Sequence, residues 1–331
     1  MSILPRDPSY DEACDICDHW QLDDWQPMLA KLIIRHGLTV EKISQNLEGS
    51  NPVFELTLDR QHHHQEQSYM IKVLAPNWYA QYRSELLSLS LLNQHKLGIK
   101  VPKLIYSGEI DNWHYLVIEK LSGTPLSNVI DKISEKNRSE IAYRLGQFSA
   151  QLHKLPQKEL TGLRVNWREF VKRQSQNCFE KRKKQKLAAP LLASLPDYLK
   201  HHLSRLDSQL DSPQLYLIHT DLHPGNLMVN KVANGYQLTG IFDFGDALAC
   251  PVPEFEFTSP ALLLALGEPA LLHAFLDGYG YLGPRSKQLQ EHMMILSLLR
   301  HTGDINYLLQ HVPNCKDEVS WQTLEAKFFP L

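Results

Sequence analysis

The chain has 331 residues, 43% hydrophobic and 21% charged, with a formal net charge of −3. That is enough chain for a two-lobed domain with a substantial core, and the acidic balance argues against a nucleic-acid binder. No apolar run reaches the roughly 20 residues needed to span a bilayer, and the amino terminus lacks a secretory pattern.

Five scattered cysteines (14, 17, 178, 250 and 315) suit a reducing compartment better than a disulfide framework, so a cytoplasmic location is expected. Cys14 and Cys17 form a C-x-x-C with no second pair or H-x₃-H to complete a zinc site, and are read as incidental. The first predicted helix is Asp23–His36, where Trp25, Met28, Leu29, Leu32 and Ile33 recur at helical spacing before Gly37. From Val40 to Val73 the pattern turns to strands. The turn Glu48-Gly49-Ser50-Asn51 joins two of them, and its backbone N–H groups and hydroxyl suit nucleotide phosphates. His62–His64 lie in a polar connection and are read as solvated surface.

Lys72 sits inside the apolar strand Tyr69–Leu74, where a charge is costly unless paired. The one acidic residue of the next predicted helix, Trp78–Gln94, is Glu85, which makes it the candidate partner. Two more strands, Val101–Ser107 and Tyr115–Glu119, run out into Gly123 and Pro125. Backbone groups near Glu119 and Leu121 there suit an adenine edge.

Beyond Pro125 the chain reads as helical. One stripe is Leu126, Val129 and Ile133, and another is Ile141, Leu145, Phe148 and Leu152, ended by Pro156. A polar-rich helical stretch follows between Asn166 and Leu210. Its basic run, Lys181–Lys184, is read as a solvated helix face. Further helices are predicted at Phe255–Leu266, Ala270–Tyr281, Ser286–His301, Ile305–Gln310 and Trp321–Phe329.

The chemistry concentrates in 217–246, which reads L-I-H-T-D-L-H-P-G-N-L-M-V, a spacer, then L-T-G-I-F-D-F-G-D. Short apolar runs at Leu215–Ile218, Leu227–Val229 and Leu238–Phe242 carry polar residues at their ends. Asp221 and Asn226 flank a turn with Pro224 and Gly225, and Asp243 follows the third run. Phosphoryl transfer calls for this set: a carboxylate that orients an attacking hydroxyl and accepts its proton, and an amide oxygen and second carboxylate for Mg²⁺. Two other readings use fewer features. His219, Asp221 and His223 share a face of an extended run and could ligate a transition metal in a hydrolase, or Asp221 could simply cap the turn.

H-T-D-L-H-P-G-N with I-F-D-F-G-D resembles the aminoglycoside phosphotransferase family, relatives of the protein kinases. G-S-N-P-V-F-E-L resembles that family's phosphate loop, L-V-I-E-K-L-S-G-T-P-L its hinge, and N-W-R-E-F the start of the insertion in hygromycin-type kinases. The resemblance covers the chain from about Asp23 onward. It implies an α+β, bilobal protein-kinase-like fold, with residues 1–121 a nucleotide-binding lobe and 122–331 a helical lobe holding catalytic loop and acceptor pocket. Its implied activity is ATP- and Mg²⁺-dependent transfer of the γ-phosphate to a hydroxyl of a small molecule, first an aminoglycoside-type antibiotic. An amino alcohol, a sugar or protein Ser/Thr is the alternative acceptor, and a non-catalytic pseudokinase the non-enzyme one. Asp221 would be the base; Asn226 and Asp243 would hold the metal. Lys72, paired with Glu85, would contact the α/β-phosphates, Ser50 and Asn51 would line the phosphate loop, and Glu119 and Leu121 would meet the adenine. Glu254, Glu256, Asp277 and Asp304 are candidate carboxylates for a polycationic acceptor. Two features depart from the family pattern: Cys250 stands before Pro251 where an aspartate is common, and the interval from Lys72 to Glu85 is short.

Overall fold

The computed structural model describes residues 4–46, 49–59, 68–300 and 303–331; Glu48 and the His62–His64 run lie outside them. The chain forms two compact units, one made of Met1–Lys96, Lys100–Ser122 and Phe242–Asp246, the other of Leu97–Ile99, Gly123–Ile241 and Ala247–Leu331.

The first unit starts with helix α1 (Tyr10–His19), which precedes the first helix expected from the sequence. Its start is a capping box: Ser9 accepts from the Glu12 N–H at 3.2 Å, and Glu12 accepts from the Ser9 N–H at 2.8 Å. Helix α2 (Leu22–Arg35) follows. Strands β1 (Val40–Asn46), β2 (Val53–Leu58) and β3 (Ser68–Leu74), helix α3 (Tyr79–Leu92), then β4 (Leu104–Ile110) and β5 (Trp113–Glu119) complete the run. The strands make one antiparallel sheet in the order β1-β2-β3-β5-β4. Trp25 of α2 packs edge-on against Trp113 and tilted on Phe54, with ring centroids 5.5 and 5.8 Å apart, fixing the helices to one face of the sheet. Along β3, Ile71 and Val73 join this core. Strand alternation therefore turns Lys72 to the opposite face.

The second unit contains strand β6 (Thr124–Pro125) and helices α4 (Glu135–Leu152), α5 (Trp167–Lys184) and α6 (Ala189–Leu203). Strands β7 (Tyr216–Ile218), β8 (Leu227–Val232), β9 (Gly235–Ile241) and β10 (Leu248–Cys250) come next, then helices α7 (Pro269–Tyr279), α8 (Lys287–Leu299), α9 (Ile305–His311) and α10 (Trp321–Phe328). β10 pairs with β7, and β6, β8 and β9 form a second small sheet. Ser134 and Asn166 cap α4 and α5, accepting from the Asn137 and Glu169 N–H groups. α4 and α7 pack with their backbones touching. A Cβ at Gly146 would fall 2.0 Å from the Phe275 carbonyl oxygen, and one at Gly278 would fall 1.9 Å from that of Tyr143. Trp167 and Phe170 of α5 pack with Ile218, Leu248, Cys250 and Phe255 in a core directly behind the end of β7.

Two expected helices take other forms. Leu126–Ile133 makes only short 3₁₀ turns. In the stretch expected to be a helix from Phe255, Pro260 opens a wider winding over Pro260–Ala265, closed by a bond from the Leu266 N–H to the Ala261 carbonyl. None of the described helices is long and apolar enough to cross a membrane.

Candidate active site

In the first unit, Lys72 is buried on the face of β3 turned from the Trp25 core. Its Nζ lies 2.8 Å from Glu85 Oε2 and 2.7 Å from Asp243 Oδ1. A 3₁₀ turn at Pro76–Trp78 starts α3 soon after β3, so the short interval still brings Glu85 over the lysine. Burial works against the ammonium, but Asp243 and Glu85 outweigh it and hold the lysine charged well above its ordinary value. The Phe242–Asp246 segment is tied to α3, where Ser84 Oγ donates to the Phe244 carbonyl at 3.4 Å and Gln81 Nε2 to Asp246 Oδ1 at 3.2 Å. Asp243 itself adopts a left-handed backbone, φ 66°. Such conformations concentrate at functional sites when surrounding contacts over-determine them.

Ser50 is exposed and Asn51 half-buried in the turn entering β2. Val53, two residues on, pairs with Lys72 across the sheet, which puts the turn at the lysine's end of β3. Glu119 ends β5 with its N–H committed to the Lys103 carbonyl at 2.8 Å, so that group is not open to an adenine. Leu121 follows, half-buried, beyond the strand.

In the second unit, β7 ends at Ile218 and leads into His219, Thr220 and Asp221. Thr220 is left-handed with φ 69°, a genuine strain for a β-branched residue. Asn226 donates Nδ2 to the Asp221 carbonyl at 3.0 Å and, at 3.4 Å, to its Oδ2. This turns the amide oxygen of Asn226 away from the aspartate. His223 Nε2 lies 3.5 Å from Asp221 Oδ2. Burial pushes the Asp221 carboxyl up, but the His223 ring, with Arg300 and His219 beyond it, brings it down to about 2. Asp221 is therefore ionised at any physiological pH.

The histidines are engaged locally. Buried His219 accepts the Asp221 N–H on Nδ1 at 3.3 Å, and His223 accepts the Gly225 N–H on Nδ1 at 3.0 Å. Among the described residues, no group of three His, Cys, Asp or Glu side chains is gathered to hold a metal ion.

Two residues the sequence reading did not assign to this loop hold it. Glu256, fully buried, accepts the N–H groups of His219 and Thr220 on Oε2 at 3.0 and 3.2 Å. Arg300 donates Nη2 to the Thr220 carbonyl at 2.7 Å. Glu256 is thus no acceptor carboxylate. Its companions also have partners of their own. Asp277 pairs with Arg285, Asp304 caps α9 by accepting the Asn306 N–H at 2.9 Å, and Glu254 lies 3.8 Å from His292. Of the basic run of α5, Lys183 and Lys184 are exposed as expected for a solvated face, whereas Lys181 and Arg182 turn inward. Arg182 is buried, donating to the Gly303 carbonyl at 2.9 Å and to Gln185 Oε1 at 2.8 Å, while Lys181 donates to the Arg300 carbonyl at 3.0 Å.

A model of the phosphotransferase enzyme family matches residues 42–289, a span that contains Lys72, Glu85, Asp221, Asn226 and Asp243. The chain belongs to that family. Solved structures with the same fold include the GDP complex of wild-type aminoglycoside 2'-phosphotransferase-IIIa, with 14% identity over 92% of this chain and 97% of that one and a TM-score of 0.65. ADP-bound aminoglycoside phosphotransferase APH(2'')-Ib matches at 17% identity over 92% and 99%, TM-score 0.58. The streptomycin–ATP–APH(2")-IIa ternary complex matches at 16% over 94% and 100%, TM-score 0.58. The fold of this phosphotransferase is accordingly the α+β, kinase-like one, with an antiparallel sheet in one unit and a mainly helical remainder.

Proposed function

We propose that this phosphotransferase moves the γ-phosphate of ATP to a hydroxyl of a small molecule, first an aminoglycoside-type antibiotic, in the cytoplasm. The reading rests above all on Asp221, held ionised beside Asn226 in a strained loop inside the family span. The acceptor hydroxyl gives its proton to Asp221 as its oxygen bonds to the γ-phosphorus. The bond from that phosphorus to the bridging oxygen breaks, and ADP leaves. Lys72 neutralises phosphate charge, with Glu85 keeping its ammonium in place. Ser50 and Asn51 serve the phosphate loop, and the backbone around Glu119 and Leu121 serves the adenine. Residues 1–121 hold the nucleotide with the Phe242–Asp246 segment; the rest of 122–331 holds the catalytic loop and the acceptor.

The donors on this chain suit Mg²⁺, which takes oxygen ligands and binds through few protein groups beside substrate phosphates. Asp243 offers a carboxylate 42% exposed, and Asn226 offers the amide oxygen left over when its nitrogen binds Asp221. Bound there, the metal would offset the charge on the transferring phosphoryl group.

The ligands of the neighbouring structures favour an antibiotic acceptor: streptomycin with APH(2")-IIa and kanamycin with APH(2")-IIIa. An uncharged or singly charged metabolite, an amino alcohol or a sugar, is favoured by the engagement of Glu254, Glu256, Asp277 and Asp304 elsewhere. ADP release from MgATP across aminoglycosides, amino alcohols and sugars decides between them. Saturable release with one class names the acceptor, and none with any class overturns the enzyme reading in favour of a nucleotide-binding module.

A further inference from the structure

The last residue of α8 is Leu299, and Arg300 leaves the helix in extended backbone, φ −60° and ψ 137°. Its guanidinium is buried. One nitrogen, Nη2, meets two groups of the catalytic loop: the Thr220 carbonyl at 2.7 Å and Asp221 Oδ1 at 3.7 Å. Thr220 is the strained residue, and both of its peptide groups are held from outside the loop, the N–H by Glu256 and the carbonyl by Arg300. A β-branched residue relaxes from φ 69° unless its neighbours forbid it. Asp221, one residue on, takes its position from that backbone.

Arg300 is in turn fixed from α5. Lys181 donates to its carbonyl at 3.0 Å, and Arg182 donates to the carbonyls of Leu298 at 3.5 Å and Gly303 at 2.9 Å, on either side of it. Gln185 adds a bond to the Gly303 carbonyl at 3.1 Å. Three side chains of one helix end thus grip the backbone around a single arginine. A buried guanidinium is expensive to desolvate, and a structural need for packing alone would be met by an apolar side chain.

We propose that Arg300 is a positioning residue for Asp221: it holds the Thr220 carbonyl by a hydrogen bond and faces Asp221 Oδ1 at ion-pair distance, and so fixes the orientation of the carboxylate that Asn226 and His223 flank at Oδ2. The inference rests on the reading of Asp221 as base. A positioning arm acts on turnover and leaves the nucleotide contacts alone. A displacement of about 1 Å at a reacting group costs on the order of 10²-fold in rate.

The test is a cycle of Arg300→Met and Asp221→Asn, read by steady-state kinetics on an acceptor found in the ADP-release screen and by single turnover with labelled ATP. Arg300→Met should lower kcat on the order of 10²-fold with the ATP KM within about twofold. In the Asp221→Asn background the same change should cost less than about threefold, since the group it serves is already gone. Equal costs in both backgrounds overturn the inference while leaving Asp221 as base. Wild-type turnover in Asp221→Asn alone overturns the base reading itself. Should Arg300→Met fail to fold, Arg300→Lys keeps the buried charge but loses the forked donor. It should then lose about tenfold in kcat in the parent and none in the Asp221→Asn background, with equal losses again counting against the inference.

Discussion

Lys72 and Thr220 are both awkward residues in buried places, and the chain resolves them in opposite ways. Lys72 is a charge in an apolar strand, and two carboxylates answer it directly at 2.8 and 2.7 Å. Thr220 is a strained backbone, and what answers it is a pair of side chains 36 and 80 residues further along, each acting on a main-chain group. The first device is a direct charge balance between side chains, which serves the residue proposed to meet phosphates. The second is a scaffold, which serves the carboxylate proposed as base. Removing a member of the first should therefore disturb nucleotide binding and stability together, and removing a member of the second should disturb turnover.

The sharpest way to break this contrast is Asp221→Asn. General-base removal costs typically 10²–10⁴-fold, so turnover should fall about 10³-fold while MgATP affinity, measured by calorimetry, stays within about twofold. A parallel loss of nucleotide affinity would merge the two devices into one. Lys72→Met comes next. It strands Glu85, whose side chain is only 2% exposed, as a buried carboxylate without its counter-charge. Breaking a buried pair this way costs about 3–5 kcal/mol, less here to the extent that Glu85 takes up a proton. Thermal unfolding should show the loss, and the ATP KM should rise at least about tenfold. Glu85→Gln should be milder on both counts, because Lys72 keeps Asp243.

The two devices also differed in how far they could be read from residues alone. Lys72 announced itself, because a lysine between Ile71 and Val73 demands a partner and the next helix offers one acid. Asp221, Asn226 and Asp243 stood out for a similar reason: polar residues at the ends of short apolar runs. Helix α1 was legible too, in the S-x-x-E that opens it, but the prolines and charges around it drew the reading toward a polar tail. Glu256 and Arg300 left no such mark. A side chain that bonds a backbone group needs no particular residue at the other end, so nothing in the Thr220 neighbourhood names its brace. Half of the basic run of α5 departs from the expected solvated face for a related cause. Lys181 and Arg182 find carbonyl oxygens at a helix end, and carbonyls carry no sequence signature.

Glu256 offers the smallest effect and a separate way to tell scaffold from chemistry. Burial pushes its carboxyl up to about 7, against the pull of the Thr220 and His219 N–H groups and of Arg300. Asp221, at about 2, is ionised throughout the working range and produces no acid limb near neutrality. As pH falls through about 7, Glu256 takes a proton and its bonds to the two N–H groups lose their charge-assisted character. Such bonds exceed neutral ones by roughly 1 kcal/mol, so turnover should fall about fivefold. Stability should move the other way. The unfolded chain releases this proton near the ordinary value of 4.5 and the folded one only near 7. Between those values the folded state binds more protons, so this group's contribution to stability falls as pH rises through the window and is flat above it. Glu256→Gln, which cannot titrate, should lose both slopes: a level kcat between pH 6 and 8, and less decline in melting temperature from about pH 5 to 7 than the parent shows. An acid limb that survives in Glu256→Gln would assign it to another group and leave Glu256 a purely static brace.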